Sequence, residues 1–380
     1  MNILFIASYP NDFYKSNSVF VYELVQELAI QGCCITIISP QQWHRKRVKI
    51  ISSKGEKKYG YERAEIIRPI YFSFPNRIKI IKFFLERFNI WSYKYAVYRS
   101  LKLLNNKPDV VYSHFLYRGG PATIMAAEYF KVPAYVALGE SSLEKYERFF
   151  SSKNMRKLIK SFSGIISVSD VNKKYCVEKL GVPENKIRVI PNTINTDVFY
   201  QRDKKKMREK YNFSQEKFII VFVGHFIERK GPLRVLSALI GLAEDIGAIF
   251  IGKGNQKPDG GKVFFADSVP HSLVPELLSA GDLFVLPTLN EGSCNAIAEA
   301  MACGLPIIAS NIDAIKEQVD SENSILCNPL NIEEINKAIS FLFNNKSLTE
   351  KMAKKSLERA SKFTLKDRAN KIKEYLTTSN

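Results

Sequence analysis

The stretch LPTLNEGSCNAIAEAMACGLPIIAS, Leu286 to Ser310, decides the fold. It continues an apolar strand, DLFVLP, that starts at Asp282, and it breaks into a polar loop over Thr288 to Gly292. A short helix is expected from Cys294 to Cys303, stopped by Gly304 and Pro306, and a second apolar strand, LPIIAS, then resumes. Strand, loop, helix, strand is a βαβ unit, and in open α/β sheets such loops line the ligand crevice. Glu291 stands in the loop and Glu299 about two turns into the helix. Gly292 lets a ligand approach the backbone, and Ser293 to Asn295 carry amides that a helix start leaves unpaired. Such a start attracts anions or polar hydroxyls, and a carboxylate beside it accepts hydrogen bonds from hydroxyls. The combination suits a phosphorylated sugar.

Outward from this stretch the same alternation repeats. In the first half, Ile3–Ala7, Cys33–Ser39, Ala64–Arg68, Asp109–Ser113, Pro133–Leu138, Gly164–Ser169 and Ile187–Ile190 read as strands separated by helical segments. In the second half, Phe218–Val223, Ala248–Ile251, Lys262–Phe265, Asp282–Leu286, Pro306–Ala309 and Ser324–Cys327 continue the pattern, followed by helices from Ile332 and over Leu365–Leu376. Alternation of this kind implies parallel sheets with helices on both faces. At 380 residues the chain exceeds one ordinary core. The reading is therefore α/β, two Rossmann-like domains facing each other across a cleft: residues 1–197, residues 198–363, and a C-terminal helix, 364–380, packing back on the first.

Composition narrows the class. A hydrophobic share of 46% with 25% charged residues is that of a globular protein. No run of about 18 apolar residues predicts a bilayer span, and MNILFIAS, lacking a basic leader, reads as a first strand. The six cysteines form no C-x-x-C pair and read as buried or incidental thiols of a reducing cytoplasm. The four histidines show no metal-ligand spacing, and no D-x-D occurs to hold a divalent ion on a diphosphate. The formal charge is +18, and residues 41–107 alone carry 17 Lys/Arg against 4 Asp/Glu. A basic excess confined to one region points to a polyanionic surface, membrane or nucleic acid.

Three further segments could carry chemistry. Val223–Gly231 (VGHFIERKG) places Gly224 directly after a strand and Arg229-Lys230 just before a helix, where cations beside free amides make a diphosphate site. Phe250–Gly254 (FIGKG) is again a strand running into a glycine loop, and Ser279–Asp282 (SAGD) precedes the strand that delivers the opening stretch. No G-x-G-x-x-G joins a first strand to its helix in either half, which argues against a nicotinamide-dependent oxidoreductase.

The order of these motifs resembles the family 4 glycosyltransferases of the GT-B fold (glycosyltransferase group 1 type). It runs from the glycine-to-KG loop through strand-G-x-G and small-residue–Asp–strand–Pro to Glu291…Glu299 followed by AMACGLP. The first half agrees through DVVYSHF at Asp109–Phe115, SVSD at Ser167–Asp170 and IPNTINTDVF at Ile190–Phe199. The resemblance implies a retaining, metal-independent hexosyltransferase using a nucleotide-sugar donor, with UDP the expected carrier. Carried over residue by residue, Glu291 would hold sugar hydroxyls near the reacting carbon, and the amides of Gly292, Ser293, Cys294 and Asn295 would contact the sugar or distal phosphate. Glu299 would accept the ribose hydroxyls, and Lys230 would neutralise the leaving diphosphate, with Gly224, His225, Arg229 and Gly252 completing the donor site. Placed cations lower the barrier because charge develops on the leaving group. His114 would lie near the reacting sugar, and Ser16, Asn17, Ser18 and Glu140 would face the acceptor.

The sequence departs from the family at three places. His225 stands where an arginine is usual. Leu138-Gly139-Glu140-Ser141 stands where His-Gly is usual. Tyr14 to Ser18 lacks the usual glycines of the acceptor loop. Between Arg77 and Leu104, the rings of Phe84, Phe88, Trp91, Tyr95 and Tyr98 recur at helical spacing while Lys79, Lys82, Arg87 and Lys94 lie largely elsewhere. Such a helix is either a core helix with a solvated basic back or an interfacial one resting on anionic lipid. The expectation is thus a cytoplasmic transferase, peripheral on the inner face of the membrane, with no cofactor and no bound metal. It would act on a lipid-linked glycan in cell-surface polysaccharide synthesis, without nucleic acid as a partner. A GT-B epimerase or phosphorylase, or a basic nucleic-acid-binding protein, are the alternatives.

Overall fold

A computed structural model describes residues 1–10, 18–43, 52–53, 64–74, 82–140, 143–144 and 152–378. The chain forms two compact units, residues 1–191 with 366–380, and residues 192–365.

The first unit is built on an eight-stranded sheet. Its strands are β1 (Asn2–Ile6), β2 (Cys34–Ile38), β4 (Ser52–Ser53), β5 (Ala64–Ile67), β7 (Val110–His114), β8 (Ala134–Leu138), β9 (Gly164–Ser167) and β10 (Ile187–Val189). The order is β10-β9-β8-β7-β1-β2-β5-β4, parallel except for the antiparallel edge strand β4. β7, β8 and β9 are buried along their whole length, the mark of a parallel sheet covered on both faces. Alternate side chains supply two separate cores. Leu4, Ile6, Val111, Val136 and Ile165 pack on one face, and Ile3, Phe5, Tyr112, Tyr135 and Ile166 on the other. The second core includes Ala369, Ile372, Tyr375 and Leu376 of the last helix, Leu365–Thr378. That helix is pinned by Tyr375 Oη donating to Lys186 O at 2.7 Å and Lys373 Nζ to Gln31 O at 2.7 Å. A small parallel pair, β3 (Gln41–Gln42) with β6 (Ile70–Tyr71), flanks the sheet. Two residues are too few for a periodic signal, so the sequence does not announce it.

The second unit holds six parallel strands: β11 (Phe218–Val223), β12 (Ile246–Ile251), β13 (Val263–Asp267), β14 (Leu283–Leu286), β15 (Ile307–Ser310) and β16 (Ser324–Cys327). Their order is β13-β12-β11-β14-β15-β16. From β11 the chain winds outward first to β12 and β13, then returns to start β14 on the other side. The switch point is therefore the gap between β11 and β14, and the loops at their C-terminal ends are where a ligand is expected. The SAGD segment serves the opposite end. Asp282 accepts from Ile219 N at 2.7 Å and pairs with Arg208 at 2.6 Å and Lys204 at 2.7 Å, fixing the start of β14 to β11. All six cysteines are free, and five are buried.

Candidate active site

Three loops meet at the C-terminal ends of β11, β12 and β14. The first two touch backbone to backbone, because a Cβ on Gly252 would lie 1.9 Å from Gly224 O. Gly254, at φ +159°, has the same constraint against Phe226 O at 2.1 Å. The strand-G-x-G pattern is thus first a requirement of loop packing. His225 is exposed on this loop, whereas Arg229 and Lys230 turn inward.

Both cations converge on one carboxylate. Lys230 Nζ lies 2.5 Å and Arg229 Nη1 3.2 Å from Glu291 Oε1, and Thr288 Oγ1 donates to that oxygen at 2.8 Å. Arg229 Nη1 also donates to Asn290 O at 2.6 Å, and Leu289 N to Arg229 O at 2.8 Å, so the KG loop and the Thr288–Gly292 loop form one body. Burial works against the Lys230 ammonium, but Cys294 and the Glu291 carboxylate outweigh it and hold its pKa above the ordinary lysine value. Thr288 has no role in the reading from sequence. Its position three residues before Glu291 is the only signal that could have found it.

The helix Asn295–Ala302 begins directly after this centre. Its first intrahelical bond is Ala298 N–H to Cys294 O, and Ile297 N–H lies against the Cys294 sulfur, which leaves the amides of Asn295 and Ala296 at the open end. Gln318, from a distant segment, shapes the entry: its Oε1 accepts from Cys294 N at 2.7 Å and its Nε2 donates to Cys294 O at 3.3 Å. Asn192 Nδ2 donates to Ser293 O at 3.2 Å. No local sequence pattern marks Gln318, because its partners lie 24 and 25 residues away. Asn290 Oδ1 and Asn295 Oδ1 are both buried without a hydrogen-bond partner, on either side of Glu291–Ser293. Buried polar atoms are rarely left so, and a bound polar ligand would satisfy them.

Glu299, two turns along, is nearly buried and meets His271 Nε2 at 3.2 Å, with the Phe199 ring 5.1 Å from the imidazole. His271 is a second residue the sequence reading missed. It stands in the segment that leads to SAGD, outside any glycine loop.

In the first unit, His114 ends β7 and is packed between the rings of Phe20 and Phe115, each 4.9 Å away. Burial, aided by Arg368, lowers its pKa to about 3, so the ring is neutral, and its Nδ1 has no partner. Glu140 follows β8. Its Oε1 accepts from Leu116 N at 2.6 Å, Oε2 is unpartnered, and burial raises the carboxyl to about 7. Gly139 joins the two sites, since a Cβ there would meet His114 Nε2 at 3.0 Å. Both groups stand beside the switch point of this sheet, between β1 and β7. Ser18 precedes the helix Val19–Ile30 in a left-handed conformation, φ 56°; Ser16 and Asn17 lie outside the described residues.

A cavity of about 560 Å³ in the second unit, lined in part by Arg208, Phe218, Asp282 and Leu305, lies at the N-terminal ends of the strands. It is separate from these loops. Among the described residues, no three His, Cys, Asp or Glu side chains gather as a metal site.

Comparison with known proteins bears on both units. The family model described as "Glycosyl transferases group 1" matches residues 203–359, and "Glycosyltransferase Family 4" matches residues 18–198. A Bacillus subtilis protein named as a teichuronic acid biosynthesis glycosyltransferase, TuaC, is 25% identical over 359 residues, 90% of this chain and 88% of its own. The N,N'-diacetylbacillosaminyl-diphospho-undecaprenol alpha-1,3-N-acetylgalactosaminyltransferase of Campylobacter jejuni is 26% identical over 261 residues, 63% of this chain and 69% of its own. Among solved structures, HepE of Anabaena, in complex with UDP-glucose, matches with a TM-score of 0.74 at 18% identity over 100% of both chains. That last likeness is one of fold.

Proposed function

Because the chain belongs to the glycosyltransferases, group 1 over its second half and family 4 over its first, with their GT-B fold, we propose that it transfers a sugar from a UDP-sugar to a hydroxyl of a lipid-linked glycan in cell-surface polysaccharide synthesis. The observation that carries this is the convergence of Arg229 and Lys230 on Glu291 beside an open helix start, with two unsatisfied asparagine oxygens around it.

In this reading residues 198–363 take the donor and residues 1–197 the acceptor, with 364–380 completing the latter. Glu291 holds hydroxyls of the transferred sugar, and the amides of Gly292, Ser293 and Asn295 take the sugar or the distal phosphate; that of Cys294, expected from sequence to join them, is given to Gln318 Oε1 instead. Lys230 and Arg229 turn from Glu291 to the diphosphate, and Glu299 accepts the ribose hydroxyls. The acceptor oxygen bonds to the anomeric carbon on the face from which UDP departs, so configuration is retained. The bond from that carbon to the phosphate oxygen breaks with its electron pair on the oxygen, and the acceptor's hydroxyl proton passes to it. Developing charge is met by Lys230 and Arg229, with no metal required. His114, its ring neutral, and Glu140, with Ser16, Asn17 and Ser18, would bind the acceptor.

UDP as carrier is supported by the UDP-glucose held by HepE. The lipid-linked acceptor is supported by the diphospho-undecaprenol substrate in the name of the Campylobacter relative, and it would place the enzyme at the cytoplasmic face of the membrane. Among the described residues no helix is long and apolar enough to cross one. Incubation with UDP-hexoses, UDP-N-acetylhexosamines and an undecaprenyl-diphosphate-linked sugar should give an extended lipid-linked product and free UDP. No transfer with any donor would overturn the reading.

A further inference from the structure

The helix Lys82–Leu101 is packed the opposite way from an ordinary amphipathic helix. Its buried face carries Glu86, Asn89, Ser92, Tyr93, Ala96, Val97 and Ser100, while Phe84, Phe88, Trp91 and Tyr95 face outward. The polar face is buried because it is bonded. Asn89 Oδ1 accepts from Phe74 N and Ser92 Oγ from Phe72 N, both at 2.9 Å, and Glu86 meets Arg118. These bonds hold the segment 72–74 along the helix and turn Phe72 and Phe74 outward as well. Trp43 joins them, its Nε1 donating to Ser73 O at 3.1 Å.

The exposed rings touch in chains: Trp43 on Phe72, Phe74 on Phe88, Phe88 on Trp91, and Trp91 stacked on Tyr95 at 5.7 Å. Phe84 is 71%, Trp91 59% and Trp43 51% exposed. Seven rings about half exposed, at roughly 200 Å² each, present on the order of 700 Å² of aromatic surface. That exceeds the largest apolar patch of an ordinary monomer. The helix's one carboxylate, Glu86, is buried, whereas Arg87 and Arg99 are exposed and Lys94 half-buried. The patch is thus apolar with a cationic border and no helix carboxylate at the surface.

We propose that this face docks on a lipid bilayer bearing anionic headgroups, the rings entering the interface and Arg87, Lys94 and Arg99 meeting the phosphates. Aromatic rings favour the interfacial zone of a bilayer, and cations near it gain from anionic lipid. Rings packed on one another in two groups, Trp43 with Phe72 and Phe74 through Phe88 and Trp91 to Tyr95, cover each other's faces, unlike the separated faces that stack single-stranded bases. The inference deepens the proposed function by naming the surface that meets the acceptor's membrane, and it rests on that reading only for the docking's purpose.

The chain has two tryptophans, and both lie on this face. Their fluorescence should shift to the blue on adding phosphatidylglycerol vesicles and be quenched by brominated acyl chains. Phosphatidylcholine vesicles alone should bind at least tenfold more weakly. A Phe84→Ser, Trp91→Ser, Tyr95→Ser variant, with unchanged circular dichroism, should lose at least tenfold in sedimentation with anionic vesicles. Its UDP affinity and its turnover with a short-chain, micelle-free acceptor should stay within about twofold of the parent. Absence of a blue shift, or equal sedimentation of the variant, overturns the proposal. A parent dimer that the variant turns to monomer, with vesicle binding unchanged, would assign the face to a second copy instead. Failure of transfer with every donor while vesicle binding persists would overturn the proposed function and leave this docking standing.

Discussion

Lys230 Nζ and Arg229 Nη1 share a single oxygen of Glu291, at 2.5 and 3.2 Å, and that oxygen also receives the Thr288 hydroxyl. A carboxylate held by three donors is fixed in place, and in the proposed reading the same two cations serve the diphosphate. Glu291→Gln keeps the shape and removes the charge. Turnover should fall by about 100- to 1,000-fold, the scale of losing one placed electrostatic group, while donor affinity changes only a few-fold. Single-turnover kinetics set beside calorimetry separates the two, and equal losses in both would remove Glu291 from the reacting sugar.

Among the described residues, His271 Nε2 meets the Glu299 carboxylate at 3.2 Å, and in the proposed reading that carboxylate accepts from the ribose hydroxyls. Hydrogen bonds to a charged acceptor contribute about 1.5–3 kcal/mol. Glu299→Ala should therefore weaken UDP binding by roughly 10- to 100-fold in calorimetry, with little change in the affinity for a ribose-free sugar phosphate. Unchanged UDP affinity would take Glu299 off the ribose.

In the proposed mechanism, charge neutralisation by Lys230 and Arg229 would replace what a divalent ion supplies. Activity after exhaustive EDTA treatment should match that of the untreated enzyme, measured as UDP release. Loss of activity restored by Mg²⁺ would contradict this part of the mechanism.

Burial raises the Glu140 carboxyl from its ordinary 4.5 to about 7. Between those values the folded chain keeps a proton that the unfolded chain has released, so stability present below about pH 4.5 is lost as pH rises toward 7. Glu140→Gln retains an oxygen for Leu116 N–H and has no charge to bury. Melting followed from pH 4.5 to 8 should show the parent losing up to about 3 kcal/mol relative to the variant. His114 acts with the opposite sign. Its pKa, lowered from 6.5 to about 3, makes stability present above 6.5 fall as the pH drops toward 3. His114→Gln should flatten that acid limb.

Much of the site was legible in sequence because its parts are local. Glu291, the helix start and Arg229-Lys230 each follow a strand whose apolar run is unmistakable, and in a parallel sheet the C-terminal ends of neighbouring strands must meet. Gln318 and His271 were not legible. Each reaches the site from another segment by a side chain, and no periodicity encodes such a contact. The helix Lys82–Leu101 shows a different limit. Ring spacing gave one stripe, of which Phe84, Phe88, Trp91 and Tyr95 face outward while Tyr98 is half-buried against Tyr129. Which face is buried was decided by Asn89 and Ser92 bonding the backbone of Phe74 and Phe72, which hydrophobicity alone points away from. The spacing could not say which face is buried; the exposure of Phe84, Trp91 and Tyr95 puts the rings on the outer one.

The most direct test of the central claim is saturation-transfer NMR of a UDP-sugar panel in EDTA with the parent, Glu291→Gln and Glu299→Ala. At least one UDP-sugar should receive saturation at both its ribose and its sugar protons in the parent. The sugar signals should fall selectively in Glu291→Gln, and the ribose signals in Glu299→Ala. Absence of binding by every member, or identical maps from all three proteins, would contradict the placement of the donor at Glu291, Lys230 and Glu299.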